Sequence, residues 1–239
     1  MHPDSQISAT LVCWGNAWLT GQTGLDEAAD RVERQGGPQL VATAAGDTPL
    51  RGFLADLRVE GMKSLRLALP VAGDPLGLTG PPSFNSAAIE AGQAAIAVLP
   101  GRCLGLVPAR DRRGSSYAGV RWGVLEASAC APAVPSLAEA EQALTIAIRE
   151  ATDALTGVEG PLQGHRRLHT FDDGLAPGYP ARAHRVAALT ARLAAALRVA
   201  DDRGLTSGQI AARGHALRDL DRAVRRARVA AHHALNELV

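Results

Sequence analysis

The sequence is poor in cysteine, in lysine and in long apolar runs. Its three cysteines, Cys13, Cys103 and Cys130, are widely spaced and form no C-x-x-C pair, which argues against a zinc site or a disulfide framework and favours a reducing compartment. No apolar run reaches the roughly 18 residues that a membrane-spanning helix needs. The first residues also lack the basic and apolar regions of a signal peptide. These absences predict a soluble, cytoplasmic protein with no membrane contact.

Charge of one sign is equally scarce. The 25 basic and 24 acidic residues leave a formal net charge of +1 at pH 7, and Lys63 is the only lysine. Because no strong net field surrounds the chain, nonspecific binding to nucleic acid or to an anionic membrane is not expected.

The sequence does contain enough apolar material for folded domains. Its 239 residues, 46% of them hydrophobic, suffice for one large or two small domains. Near the N-terminus, Trp14 and Trp18 belong to an apolar stripe at helical spacing that predicts a helix over 8–20. Thr23 is the expected N-cap of a second helix that runs through Val32.

Residues 39–127 alternate between strand-like and helix-like patterns. Apolar or alternating stretches predict strands, and apolar spacings of three and four predict the helices between them. The whole pattern predicts a mixed α/β unit, of the α+β kind, with a small sheet, in which the last two strands run antiparallel. The predicted strands are 39–45, 64–71, 102–108 and 117–127, and the predicted helices are 49–61 and 85–98.

Beyond a proline-rich connector at 130–136 the sequence is almost entirely helical. Ser136 and Glu139 form a capping box ahead of the first helix of this region. The apolar stripe of that helix consists of Leu137, Ala140, Leu144, Ala147, Ala151 and Leu155. The stripe of the next helix, predicted over 181–202, consists of Val186, Leu189, Leu193, Leu197 and Ala200. The change in pattern predicts a mixed α/β domain over 1–130 and an all-α domain of three helices over 131–239.

The last of these helices has the clearest start signal in the sequence. Thr206 and Gln209 form a second capping box, flanked by Leu205 and Ile210 at the positions of a hydrophobic staple. An alanine-rich seam then repeats every seven residues and predicts close packing against partner helices, either in the same chain or in a second copy, with a homodimer favoured. The seam consists of Ile210, Leu217, Val224, Ala231 and Leu238, beside Leu220, Ala227 and Ala234.

Limited proteolysis tests the predicted domain boundary. We expect a protease to cleave within 130–136 or 159–179, because exposed connectors are cut before packed elements. Early cleavage within 85–98 or 210–235 would contradict the assignment.

A glycine- and proline-rich loop, "VAGDPLGLTGPPSFN", separates a predicted strand from a predicted helix. Ligands often bind at such a place in α/β sheets, because a helix N-terminus attracts anions. The loop has no P-loop spacing and no basic residue, which argues against a phosphate cradle. The ligand-binding hypothesis places its site within 72–85, on Asp74, Thr79, Ser83 and Asn85.

The same loop also has a purely structural interpretation. Proline fixes the turn at Gly80-Pro81, Asn85 is placed to cap the following helix, and Phe84 and Ile89 occupy the positions of a hydrophobic staple. A rigid connection across the end of a sheet needs this composition, so the structural interpretation is the favoured one.

The segment "GHRRLHTFDDG", 164–174, contains residue types that bind zinc or manganese. It lacks an H-E-x-x-H motif, and its two arginines would repel a cation, so a solvated connector is favoured and neither a metal nor a cofactor is predicted. The potential ligands are His165, His169, Asp172 and Asp173.

The C-terminal helix also carries a basic stripe. Asp219 and Asp221 lie three and four residues from arginines and are expected to pair with them, which makes the stripe a charged outer face rather than a nucleic-acid site. His232 and His233 are expected to face solvent. The stripe consists of Arg218, Arg222, Arg225 and Arg226.

Several segments together resemble a family of uncharacterised actinobacterial proteins. They are "RLALPVAGDPLGLTGPPSFNSAAIEAG", "GLVP", "VRWGV" and "LAPGYPARAHRVAALTARL", and the similarity covers most of the chain. The resemblance implies a fold with no assigned activity, so it transfers no catalytic residue.

Two hypotheses about function follow. The sequence has no visible acid–base pair, metal motif or phosphate motif, which favours a non-catalytic cytoplasmic protein that acts by assembly or by binding a partner through its C-terminal helices. The alternative is a small-molecule binder or enzyme with its site in the loop 72–85.

Overall fold

The structure is a computed structural model that describes residues 7–113, 117–156, 174–201 and 207–235. The chain divides into two compact units. The first extends as far as Val134 and includes Leu175–Tyr179 and Leu235, and the second contains most of the remainder. A mixed α/β region followed by helices confirms the predicted fold class, while the exact boundary near residue 130 stays a prediction for the proteolysis experiment.

The first unit is built on a six-stranded sheet in the order β2-β1-β6-β5-β4-β3. Strands β1 and β6 are parallel, and all other neighbours are antiparallel. The elements of this unit are α1 (Ile7–Leu19), α2 (Leu25–Gly36), β1 (Gln39–Thr43), β2 (Gly46–Pro49), α3 (Leu50–Val59), β3 (Ser64–Ala68), α4 (Pro82–Ala91), β4 (Ala94–Leu99), β5 (Arg102–Arg113) and β6 (Tyr117–Ala127).

Helix α1 is attached to one face of the sheet by a buried amide. The Asn16 side chain donates to the Leu65 carbonyl at 2.8 Å and accepts from the Leu65 N–H at 2.7 Å. These two bonds satisfy the backbone of an edge strand that has no further strand beside it.

Helix α4 covers part of the opposite face. Phe84 is completely buried there and lies directly over Gly105, so a Cβ added at that glycine would overlap the aromatic ring. The buried residues of this cluster are Ala68, Leu78, Phe84, Ala88, Ala94, Ile96, Cys103 and Ala127.

One helix prediction in this unit is wrong in its second half. The helix predicted over 85–98 is α4, which begins at Pro82 and ends at Ala91, followed by the strand β4. Gly92 ends the helix in the left-handed conformation with φ +68°. The apolar run after it is almost fully buried between β3 and β5, and a short buried run has no periodicity that separates strand from helix.

Smaller differences concern β2 and two helix caps. Strand β2, which pairs with β1, was not predicted, because a four-residue edge strand has too little alternation to stand out. Gly24, not Thr23, is the N-cap of α2. Asn85 lies inside α4 rather than at its cap, because Pro82 opens the helix at a position where its missing N–H costs nothing.

In the residues that the structure describes, the second unit contains three helices, as predicted. They are α5 (Leu137–Thr156), α6 (Ala181–Asp201) and α7 (Ser207–His233), and α7 contacts both of the others. The buried stripe of α5 is confirmed at Leu137, Ala140, Leu144, Ala147 and Ala151, and the seam of α7 at Leu220, Val224, Ala227 and Ala231, with Ala234 just after it.

The first capping box is confirmed atom by atom. The Ser136 N–H donates to Glu139 Oε2 at 2.9 Å, and the Glu139 N–H donates to Ser136 Oγ at 3.3 Å. The bonds from the Ser136 hydroxyl and N–H hold the pKa of the Glu139 carboxyl below its usual value. The second box, at Thr206 and Gln209, lies outside the described side chains, as do the seam positions Ile210 and Leu238.

One side chain of this unit differs from expectation. His232 is buried rather than solvent-facing, because this end of α7 is buried all round: every residue from Ala227 to His232 is buried. In contrast, the predicted ion pairs on the outer side are confirmed, with 2.9 Å between Arg222 and Asp219 and 2.9 Å between Arg225 and Asp221. Among the described helices, none is long and apolar enough to cross a membrane.

Candidate functional site

A cavity of about 610 Å³ opens in the first unit beside the β5–β6 hairpin. Its volume falls in the range of ordinary small-ligand sites, roughly 300–1,000 Å³. Four separate parts of the chain line it: the start of α1, the end of α2, the end of α4 with the residue before β4, and the hairpin. The lining residues are Ile7, Gln35, Gly36, Gly37, Glu90, Ala91, Gln93, Pro108, Ala109, Arg110, Arg112, Ala118, Gly119 and Val120.

One face of the hairpin forms the floor of the cavity. Arg110 pairs in register with Val120, and Arg112 pairs with Ala118. Directly opposed residues of antiparallel strands share a face, and residues two apart on a strand do so too. The two arginines, Pro108, Ala118 and Val120 therefore project on the same side of the sheet.

The corner beside α2 is built from backbone in close contact. Gly37 has φ +75°, and a Cβ there would overlap the Ala118 carbonyl oxygen. The Val120 N–H donates to the Pro38 carbonyl at 2.9 Å, and a Cβ at Gly119 would press against the same carbonyl. Glycine is thus required at this corner by conformation as well as by space.

Two glutamines hold the start of α1 against the cavity. Gln93 is buried, and its Oε1 accepts the Ser8 N–H at 3.0 Å. The Thr10 hydroxyl donates to Gln35 Oε1. These bonds position Ile7, which supplies apolar lining, and they place amide dipoles around a mainly apolar space.

The charged lining residues are Arg110, Arg112 and Glu90. Within the described part of the chain, neither Arg110 nor Arg112 makes an ion pair, and both are exposed. Nearby arginines behave differently: Arg121 lies 2.9 Å from Asp47, and Arg113 lies 3.2 Å from the same carboxylate.

These paired arginines lower the pKa of Asp47, mainly through the hydrogen bond from Arg121. Because Arg110 and Arg112 make no such ion pair with a described residue, their guanidinium groups are available to bind an anionic ligand in the cavity.

The four residues predicted to bind a ligand in the loop 72–85 do not line this cavity. Asn85 Oδ1 accepts the Gly80 N–H at 3.0 Å, and the Thr79 hydroxyl donates to the Cys130 carbonyl at 3.3 Å. Asp74 is half-buried in a tight turn, and Ser83 is exposed on the first turn of α4.

A ligand site in the loop stays a prediction, for which loss of a ligand-induced thermal shift in Asp74→Ala and Asn85→Ala is the test.

The other candidate residues divide into two groups. His165, His169, Asp172 and Asp173 lie outside the described residues. Within the described ranges, no three His, Cys, Asp or Glu side chains lie close enough together to hold a metal ion.

Cys13 and Cys103 are buried. Burial raises the pKa of the Cys13 thiol to about 12, although Cys13 Sγ accepts the Ala176 N–H at 2.9 Å. A thiol with this pKa stays protonated at neutral pH and is a poor nucleophile.

Sequence reasoning missed every charged residue of the cavity. One available signal was the pattern Arg110-x-Arg112 just after the predicted strand 102–108, which would set two like charges on one face beside a proline if the strand continued. Like charges at that spacing repel each other and have no stabilising role in an isolated hairpin.

Comparison with known proteins assigns the chain to a family. A sequence model for the N-terminal domain of Rv1486c-like proteins matches residues 8–139, more than half of the chain. The chain belongs to the Rv1486c-like family. A second model, for the C-terminal domain of Rv1486c-like proteins, matches residues 138–229. This confirms the resemblance to an uncharacterised actinobacterial family.

The Rv1486c-like relatives carry no stated activity. The uncharacterised protein Rv1486c of Mycobacterium tuberculosis is 32% identical over 186 residues, which cover 63% of this chain and 64% of that protein. The uncharacterised protein ML1804 of Mycobacterium leprae is 28% identical over 297 aligned positions, covering 95% of this chain and 96% of the relative. No solved structure matches the chain.

Proposed function

We propose that this Rv1486c-like chain is a non-catalytic, cytoplasmic binding protein that holds an anionic ligand in the cavity beside β5. The observation that carries the proposal is the pair of arginines, Arg110 and Arg112, which line a mainly apolar cavity without a carboxylate partner among the described residues. Guanidinium groups bind carboxylates and phosphates strongly through paired hydrogen bonds.

The lining also supports binding rather than catalysis. Among the described residues, the lining contains no serine, threonine, cysteine, histidine, lysine, tyrosine or aspartate, and Glu90 is its one acidic side chain. General acid–base chemistry needs a group of suitable pKa within hydrogen-bond reach of the substrate, and covalent catalysis needs a nucleophile beside a base. The lining residues that the structure describes offer no such nucleophile, so recognition is the function that their chemistry favours.

The binding experiment uses the full chain and titrates it with a panel of small dicarboxylates, phosphates and acidic peptides. We expect a ligand from this panel to bind the wild type and to bind the Arg110→Gln/Arg112→Gln double variant at least tenfold more weakly. The matched control is Arg121→Gln. Arg121 is an exposed residue of β6 that forms an ion pair with Asp47. Ala118→Leu, which fills the floor without changing charge, should also weaken binding.

Two results would contradict this proposal. One is an affinity that the double variant leaves unchanged. The other is the absence of any binding across the panel, with all variants folded by circular dichroism.

We also propose that the chain forms a homodimer through its C-terminal helices. Two large apolar side chains support this: Ile146 of α5 is 47% exposed and Leu189 of α6 is 37% exposed. The predicted stripe of α6 runs through Leu189, whereas its buried side is formed by Ala183, Val186, Ala187 and Thr190. Apolar side chains that a helix leaves uncovered suit a self-complementary interface.

Light scattering at micromolar concentration measures the oligomeric state. We expect twice the monomer mass of 24.8 kDa for the wild type and the monomer mass for Ile146→Glu/Leu189→Glu. A wild-type mass of 24.8 kDa would overturn the dimer and leave the cavity proposal unaffected.

A further inference from the structure

Strand β5 lies between β4 and β6, and it extends beyond the residues that pair with β4. Strand β4 pairs with it only over Arg102–Leu106, whereas β6 pairs with it over Cys103–Arg113. In the described part of the chain, residues 107–113 therefore have a strand on one side only. The end of α4, Gln93 and the cavity lie along the other side.

A hydrogen bond on the far side of β6 reveals which backbone groups of β5 face that open edge. The Val120 N–H donates to Pro38, on the side of β6 that faces β1. In an antiparallel pair of strands, two directly opposed residues either hydrogen-bond to each other through their N–H and C=O groups, or both point these groups away from the other strand. The backbone groups of Val120 point away from β5. Its register partner Arg110 therefore points its own N–H and C=O away from β6, toward the open edge of β5.

Backbone groups alternate in direction along a strand, so every second residue points its N–H and C=O the same way. Pro108 and Arg112 lie two residues on either side of Arg110, so their backbone groups face the same edge. A proline fits this arrangement because it has no N–H to donate, and prolines in sheets occur at strand edges. The edge thus presents the N–H groups of Arg110 and Arg112 and the carbonyls of three alternate residues.

The side chains at this edge match an acidic partner. Arg110 and Arg112 project on one face, where a paired strand would place two of its residues directly opposite them. On the other face the cavity is lined by Ala109, whose small side chain leaves room for an apolar residue of that strand. The complementary sequence is therefore acidic, any residue, acidic, in extended conformation.

We propose that the open edge of β5 binds an extended acidic segment of another protein, which adds to the sheet as a further strand. Main-chain hydrogen bonds to Arg110 and Arg112 supply the pairing, and two carboxylates of the segment bind the two guanidinium groups. This inference rests on the proposed anion-binding function of the cavity and names its ligand class.

The chain itself does not supply such a segment. Acidic residues two apart occur only as Glu139 with Glu141 and as Asp219 with Asp221. The first pair lies in α5 and the second in α7, and helical residues are not available for strand pairing. The occupant is therefore a different protein rather than a second copy.

The experiment titrates the full chain, labelled with 15N, with a synthetic pentapeptide that alternates valine and glutamate. We expect saturable binding and at least tenfold slower hydrogen exchange of the Arg110 and Arg112 amides. The Ala109 and Asp111 amides, which face β6, serve as internal controls and should change little. N-methylation of the peptide bonds that face β5, or lysine in place of glutamate, should weaken binding at least tenfold.

The outcomes separate this inference from the function on which it rests. If glutarate and the N-methylated peptide bind as tightly as the parent peptide without protecting the two amides, strand addition is wrong and anion binding stands. If the peptide binds equally to Arg110→Gln/Arg112→Gln, the acidic specificity is wrong. If neither the peptide nor any small anion binds, both proposals fail.

Discussion

Replacing Phe84 with alanine is expected to lower the free energy of unfolding of the first unit by about 3–5 kcal/mol. The ring is completely buried in the cluster between α4 and the sheet, where Gly105 leaves space for it. Truncation removes the apolar transfer free energy of the ring and leaves a cavity that rigid strands cannot close. All three tryptophans lie in this unit, so urea unfolding followed by tryptophan fluorescence measures the effect.

The matched control is Phe53→Ala, because Phe53 is only half-buried on α3 and should cost clearly less. A double-mutant cycle identifies the mechanism. Gly105→Ala should destabilise the wild type, since its new methyl group overlaps the ring, and should cost much less in the Phe84→Ala background. Additive effects of the two substitutions would contradict the packing of the ring on this glycine.

The second large effect is a loss of stability in acid caused by His232. Burial, and after it the charge of Arg228, lowers the pKa of this imidazole from 6.5 to about 3. The neutral ring donates its Nδ1–H to the Arg228 carbonyl at 2.8 Å. The folded protein therefore keeps His232 neutral in a pH range where the unfolded chain protonates it.

The sign follows from proton uptake. Below pH 6.5 the unfolded state binds one proton more than the folded state, so stability is highest above that pH and falls as the pH drops toward about 3. The slope that one such proton contributes is at most about 1.4 kcal/mol per pH unit. Urea unfolding of the helices, followed by circular dichroism at pH 7, 6 and 5, measures it.

A variant that cannot titrate isolates the contribution of this residue. His232→Phe should lower stability at pH 7 and flatten the loss between pH 7 and 5, while His215→Gln, an exposed histidine of the same helix, should retain the wild-type slope. An unchanged slope in His232→Phe would show that the ring is not held neutral.

Local signals were enough for most helices. The Ser136–Glu139 capping box and the apolar stripe behind it predicted α5, and the paired aspartates on α7 were read as partners of its arginines, because these interactions span only three or four residues. The buried seam of α7 followed from the seven-residue spacing of Val224 and Ala231.

Long-range contacts decided what the local patterns left open. The apolar run of β4 became a strand because β3 and β5 lie on either side of it, and His232 is buried although nothing in its immediate sequence marks it. The close contact of Gly37 with Ala118 joins residues about eighty positions apart in sequence, a separation that periodicity does not reach.

The sequence by itself determined most of the helices and the helical nature of the C-terminal region, since periodicity and capping act within one or two turns. The tertiary structure alone decided where a ligand can bind. The cavity forms only when Ile7, Gly37, Gln93 and the β5–β6 hairpin meet, and the edge of β5 is open beyond Leu106 only because β4 pairs with β5 no further than that residue. Strand register is set by pairing between distant segments, so no single stretch of sequence encodes this edge.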